Sequence, residues 1–132
     1  MCKEAGAKRV MPLKVSGAFH SPLMAPAQAG LHAELNAVSF SDPKFPVIAN
    51  ATAEAVTDAE SARQRLDEQL TSPVRWVASM LRAAEVSGEE TRFVEVGPGK
   101  VLSGLVKRIV AGATCVSLGT SDDLRAFLEV TE

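Results

Sequence analysis

His20 is the residue of this sequence best placed to do chemistry. It lies in Gly17-Ala18-Phe19-His20-Ser21-Pro22, between an apolar run and a Ser-Pro helix start. Layered α/β folds place reactive groups in such strand-to-helix turns, and imidazole changes charge near neutral pH. His32 falls with Gln28 and Asn36 on a polar helix face and reads as solvent-exposed. A base needs a nucleophile. Acyl transfer would draw a serine from a Gly-x-Ser-x-Gly elbow, and the sequence contains none. Ser16 lies in a strand pattern, Ser117 lacks the glycines, and Ser21 reads as a helix cap. No metal site is expected, because neither histidine has a Cys or carboxylate at ligand spacing. There is no P-loop and no GxGxxG. Gly97-Pro98-Gly99 precedes a helix and could offer amides to an anion. Without a Lys-Ser/Thr pair beside it, a structural turn is the expected reading.

These residues need elements to position them. Residues 3–8 read as a helix end weakened by Gly6, and residues 9–16 as a strand in which Pro12 marks an edge or an irregularity. With Ser21 as N-cap and Pro22 at the first position, a helix is expected to about Val38, its apolar positions Leu23, Ala27, Leu31 and Leu35 recurring every four residues. Residues 39–46 read as a loop or edge strand, and residues 46–50 as a short buried strand. Asp58 should cap a helix reaching about Leu70, and Ser72-Pro73 should end it. A helix over residues 74–86 carries Trp76, Val77, Met80, Leu81 and Ala84 at helical spacing. A strand over residues 91–96, a helix over 100–110, a strand over 113–118 and a helix over 122–130, capped by Thr120 or Ser121, complete the pattern. Helices alternating with short apolar strands predict an α/β layered fold with a mostly parallel sheet.

Composition narrows the function classes. The 132 residues suit one domain, and a chain that is 46% hydrophobic can build a core. The net charge of −2 argues against a nucleic-acid or membrane-surface role. Five Phe, one Trp and no Tyr make base stacking an unsuitable mode. Cys2 and Cys115 form no metal or redox motif and read as free thiols of a reducing cytoplasm. No apolar run approaches the ~18 residues of a membrane span, and no secretory leader is expected at the N-terminus.

Three segments together resemble the C-terminal part of malonyl-CoA:acyl carrier protein transacylases: Val15-Ser16-Gly17-Ala18-Phe19-His20-Ser21-Pro22-Leu23-Met24, Gln69-Leu70-Thr71-Ser72-Pro73-Val74-Arg75-Trp76, and Val94-Glu95-Val96-Gly97-Pro98-Gly99-Lys100-Val101-Leu102. Their order and spacing match that family across nearly the whole chain. The resemblance implies the C-terminal portion of an α/β-hydrolase-like acyltransferase core (residues 17–132), preceded by the last helix and strand of a ferredoxin-like subdomain (residues 1–16). It implies malonyl transfer from coenzyme A to the phosphopantetheine thiol of acyl carrier protein in fatty acid biosynthesis, with those molecules as substrates and no further cofactor. His20 would be the general base, the backbone carbonyl of Gln69 its orienting acceptor, and Phe19 a gate on substrate selectivity. The family's elbow serine and its malonyl-pairing arginine have no counterpart here. The chain alone is therefore expected to be inactive, and to meet an N-terminal half as a separate chain or to self-associate. The other reading from sequence is a non-catalytic folded remnant or interaction module. Acyl carrier protein is the partner implied, and the cytoplasm the compartment.

Overall fold

A computed structural model describes residues 4–11, 17–88 and 91–131. A single 3-10 turn, Pro22–Met24, leads into α1 (Ala25–Ala37). β1 (Val47–Ile48) and β2 (Ala55–Val56) form an antiparallel hairpin, with Val47 opposite Val56. α2 (Ala59–Gln69) and α3 (Trp76–Ser87) follow. β3 (Arg92–Val96), α4 (Val101–Ile109) and β4 (Thr114–Leu118) make a βαβ unit whose strands are parallel, Arg92 opposite Thr114 and Val96 opposite Leu118. α5 (Ser121–Thr131) ends the chain. The α/β class follows from this order. Among the described residues, however, the two ladders are separate: the β3–β4 pair is parallel and the β1–β2 pair is not.

Local chemistry explains the boundaries. The Asp58 carboxylate accepts from the Ser61 amide at 2.8 Å, the N-cap bond expected of it. α5 begins with a reciprocal box: the Asp123 amide donates to Thr120 Oγ1 at 3.1 Å, and Asp123 Oδ2 accepts from the Thr120 amide at 2.9 Å. Thr120 is thus the cap. Ser21 precedes the 3-10 turn but makes no cap bond; its hydroxyl donates to the Ala18 carbonyl at 2.7 Å instead.

Several expectations are corrected. Residues 4–6 form a turn rather than a helix end, because Gly6 takes φ 87°, which a right-handed helix cannot continue through. Residues 9–11 are not in a strand, and residues 12–16 of the expected strand lie outside the described residues. β1 is two residues long and not buried; β2, its partner, carries too short an apolar signal to be read in advance. The buried residues near the hairpin are instead Ala51, Ala53 and Val56. Its connecting loop closes on the Ala49 carbonyl, which accepts from the Ala53 amide at 2.7 Å.

The buried set is small. Val106 of α4 (4% exposed) and Leu118 of β4 pack in the βαβ unit, beside buried Ser103. In α3 the deepest residue is Ser79, whereas Val77 and Leu81 of the expected apolar face are exposed. Leu23, Val96 and Val101 are exposed by 77%, 80% and 72%.

Candidate active site

His20 lies two residues before the start of the 3-10 turn with φ 62°, a left-handed conformation that costs a non-glycine residue energy. The carbonyls at the C-terminal end of α2, which have no partner inside the helix, hold it there. The His20 amide donates to the Leu70 carbonyl at 3.1 Å. The ring nitrogen Nδ1 lies 3.0 Å from the Gln69 carbonyl oxygen. The side chain of Gln69 reaches the same nitrogen, Nε2 to Nδ1, at 2.8 Å. Three contacts thus join His20 to residues 49 and 50 positions away, Gln69 and Leu70. Among the described residues, His20 Nε2 makes no hydrogen bond.

The end of α2 is itself fastened. Gln28 of α1 donates from Nε2 to the Asp67 carbonyl at 3.1 Å, tying the two helices together. Arg65 Nη1 meets Glu68 Oε2 at 2.6 Å one turn earlier. That bond, reinforced by Gln64, holds the Glu68 carboxyl below its ordinary pKa. Beyond Gln69, the Thr71 amide folds back to the Glu68 carbonyl at 3.3 Å. Arg75 then clamps the segment to the hairpin loop: its amide donates to the Asn50 carbonyl at 3.0 Å and its Nε to the Ala51 carbonyl at 2.9 Å. An apolar cleft of about 330 Å³ lies between hairpin and α2, with Gln69, Leu66 and Val56 in its wall.

Phe19 is exposed on the same turn. Its ring lies over Gly17: a Cβ at Gly17 would come within 2.8 Å of Phe19 Cε2. Only glycine at 17 allows this ring position, a relation that sequence spacing did not reveal.

The remaining sequence candidates resolve into structure. Gly97 and Gly99 take φ 127° and 108°, as the turn requires. The α4 amides that an anion would use are taken by Glu95 of β3: Oε1 accepts from the Leu102 amide at 3.1 Å and Oε2 from the Ser103 amide at 2.9 Å. Ser103 Oγ lies 2.9 Å from Ser117 Oγ of β4. The bonds from Ser103, side chain first and then backbone, hold the Glu95 carboxyl below its ordinary value. His32 sits 3.5 Å from Asp67 Oδ2 with its ring largely in solvent. Cys115 is a half-buried free thiol, and Cys2 lies outside the described residues. Among the described residues, no three His, Cys, Asp or Glu side chains gather as metal ligands, and no helix is long and apolar enough to cross a membrane.

No family model matches the chain. Similar proteins were found by sequence and by structure. The malonyl CoA-acyl carrier protein transacylase of Bacillus subtilis (strain 168) is 47% identical over 109 residues, covering 83% of this chain and 34% of the relative. That of Staphylococcus aureus (strain COL) is 40% identical over 127 residues, covering 96% and 41%. The acyl carrier protein S-malonyltransferase of Vibrio cholerae superposes with a TM-score of 0.86 at 43% identity, covering 96% of this chain and 40% of that one. A malonyl-transacylase solved in complex with a type II polyketide synthase acyl carrier protein superposes with a TM-score of 0.88 at 39% identity, covering 98% and 41%. The chain therefore spans well under half the length of the relatives it matches. In sequence and in fold it is a C-terminal part of the malonyl-CoA:acyl carrier protein transacylase, and to that family it belongs.

Proposed function

We propose that this chain supplies the general-base side of a malonyl transacylase site. The observation that carries the reading is the contact between His20 Nδ1 and the Gln69 carbonyl. A carbonyl can only accept, so it favours the tautomer with the proton on Nδ1 and leaves a lone pair on Nε2. That lone pair takes the proton of a serine hydroxyl as the oxygen attacks the malonyl thioester. The thioester C–S bond breaks, coenzyme A leaves as a thiol with the proton returned from Nε2, and a malonyl ester remains. The phosphopantetheine thiol of acyl carrier protein reverses these steps. The serine belongs to a Gly-x-Ser-x-Gly elbow that this sequence does not contain.

In this reading Phe19 narrows the space beside the substrate's α-carbon, and malonyl-CoA and acyl carrier protein are the partners. The reaction calls on no metal or added cofactor, and the compartment is the cytoplasm. The solved complex of a similar transacylase with its carrier protein supports the partner. The elbow serine arrives on a polypeptide with the upstream region of the relatives, which packs on the exposed apolar residues of this chain.

The test mixes this chain with an upstream segment of a relative carrying the elbow and measures malonyl transfer from coenzyme A to acyl carrier protein. Transfer should appear on mixing and fall about 10²–10⁴-fold with His20→Ala. Transfer that survives His20→Ala undiminished would remove the base assignment. A folded mixture with no transfer in either form would favour the non-catalytic reading.

A further inference from the structure

Two groups of Gln69 converge on one nitrogen of His20. The backbone oxygen lies 3.0 Å from Nδ1, and the amide nitrogen of the side chain lies 2.8 Å from it. In its plane, a neutral imidazole nitrogen carries either a proton or a lone pair, so it cannot serve an acceptor and a donor together. The carbonyl requires a proton on Nδ1. The amide NH₂ requires a lone pair there. With the proton on Nδ1, the NH₂ stands hydrogen against hydrogen at contact distance. With the lone pair there, the carbonyl oxygen faces it unpaired.

A half turn of the amide about its last bond removes the conflict. Oε1 then takes the place of Nε2, and both oxygens of Gln69 accept from a single Nδ1–H. The two ends of an amide are nearly equal in size, so the turn needs no extra room. The backbone carbonyl has no such freedom, because Gln69 is the last residue of α2. The ring cannot easily retreat either. The His20 amide is bonded to the Leu70 carbonyl, and the left-handed backbone at φ 62° fixes the direction in which the side chain leaves. Among the described residues, the Gln69 amide has no other hydrogen-bond partner, so nothing else dictates which end faces the ring.

We propose that the Gln69 side chain is a positioning residue that selects the tautomer of His20. Oε1 toward Nδ1 keeps the proton there and leaves Nε2 free as a base. NH₂ toward Nδ1 draws the proton to Nε2 and turns the base off. This rests on the reading of His20 as a base and adds a second, movable control to the fixed carbonyl.

The test uses the full 132-residue chain with ¹⁵N-labelled histidine and long-range ¹⁵N–¹H correlation spectra, at a pH where imidazole is neutral. His32→Gln identifies the signals of the second histidine. The unaltered chain should hold His20 mainly as the Nδ1–H tautomer. Gln69→Leu keeps the backbone carbonyl but loses the amide, and should lower the ratio of Nδ1–H to Nε2–H about fivefold, the effect of one net hydrogen bond. Gln69→Glu, whose carboxylate only accepts, should keep that ratio at or above its starting value. A side chain that merely packs would make Leu and Glu alike. Equal ratios in all three proteins would overturn the proposal. Gln69→Met takes the place of the leucine variant if the backbone amide spectrum shows the latter unfolded. The His20→Ala transfer assay tests the base reading separately: its failure leaves the tautomer result intact, and an unmoved tautomer ratio leaves the base reading standing.

Discussion

Replacing His20 by glycine and by alanine separates the two things its position costs and gains. Both variants lose the ring contacts to the Gln69 carbonyl and amide. At an exposed turn these contribute at the low end of the usual range, about 0.5–1 kcal/mol each. The variants differ in the backbone. At φ 62° a Cβ costs about 1–2 kcal/mol, which glycine relieves. Glycine gives back about 0.4–1 kcal/mol through the greater freedom of its unfolded chain. The balance leaves His20→Gly more stable than His20→Ala by about 1 kcal/mol, with the unaltered chain at or above both. With a urea slope near 2 kcal/mol/M, the midpoints of the two variants should lie about 0.5 M apart. Equal midpoints, or alanine above glycine, would refute the claim that the backbone at this position is strained and held by what the ring and amide bind. A glycine midpoint above that of the unaltered chain would show that the contacts to α2 do not repay the strain.

Other consequences can be measured directly. Incubated alone with malonyl-CoA, the chain should acquire no acyl adduct by mass spectrometry, since no elbow serine is present to carry one; a stoichiometric malonyl ester would contradict this. In a reconstituted assembly, Phe19→Ser should raise methylmalonyl turnover relative to malonyl, and Gly17→Ala should do the same more weakly by pushing the ring aside; unchanged ratios in both would clear Phe19 of the role. The folded carboxyls of Glu95, Asp58 and Asp123 lie below their ordinary values. Their contribution to stability is therefore complete above the unfolded carboxylate range and lost as pH falls below about 5. Glu95→Gln should lower the urea midpoint at pH 7 and make it less sensitive to acid, whereas an acid dependence identical to that of the unaltered chain would exclude Glu95 as a contributor. The exposed apolar residues should make the isolated chain associate at micromolar concentration in light scattering; a monodisperse 13.9 kDa species that binds no apolar dye would count against it.

Much of the fold was legible because its signals are local. Asp58 three residues before Ser61, Thr120 three before Asp123, and Gly97-Pro98-Gly99 before a run of Val, Leu and Ile each announce a boundary through chemistry that acts within one helical turn. The turn at His20 was legible as a place, but its geometry was not. Nothing near residue 20 in sequence says that its amide will meet Leu70 or that its ring will meet both ends of Gln69. Those contacts arise because α1 and α2 pack with Gln28 against Asp67 and because Arg75 pins the exit of α2 to the hairpin loop. The resemblance named the Gln69 carbonyl as the family's acceptor; it was silent on the amide. Glu95 escaped notice for a different reason. A cap is ordinarily sought just before a helix, and here it comes from the preceding strand, seven and eight residues before the amides it holds.

Burial was the least legible property, and its failure is informative. Apolar periodicity reports which face of an element is suited to packing, not what packs on it. In α3 the period over Val77 and Leu81 is genuine, yet both are exposed and Ser79 is buried instead. Around the Gly97 turn, Val96 and Val101 flank two backbone-constrained glycines and are largely exposed. Such faces are costly for a chain that ends with them and ordinary for one part of a larger body. The relatives are more than twice the length that this chain covers. The same division runs through the site: Nδ1 of His20 is held from within the chain by Gln69, while Nε2, the nitrogen that the proposed function turns toward a serine, has no partner among the described residues. Under the proposed function, the upstream region of the relatives would cover these apolar faces and would also bring the nucleophile to His20.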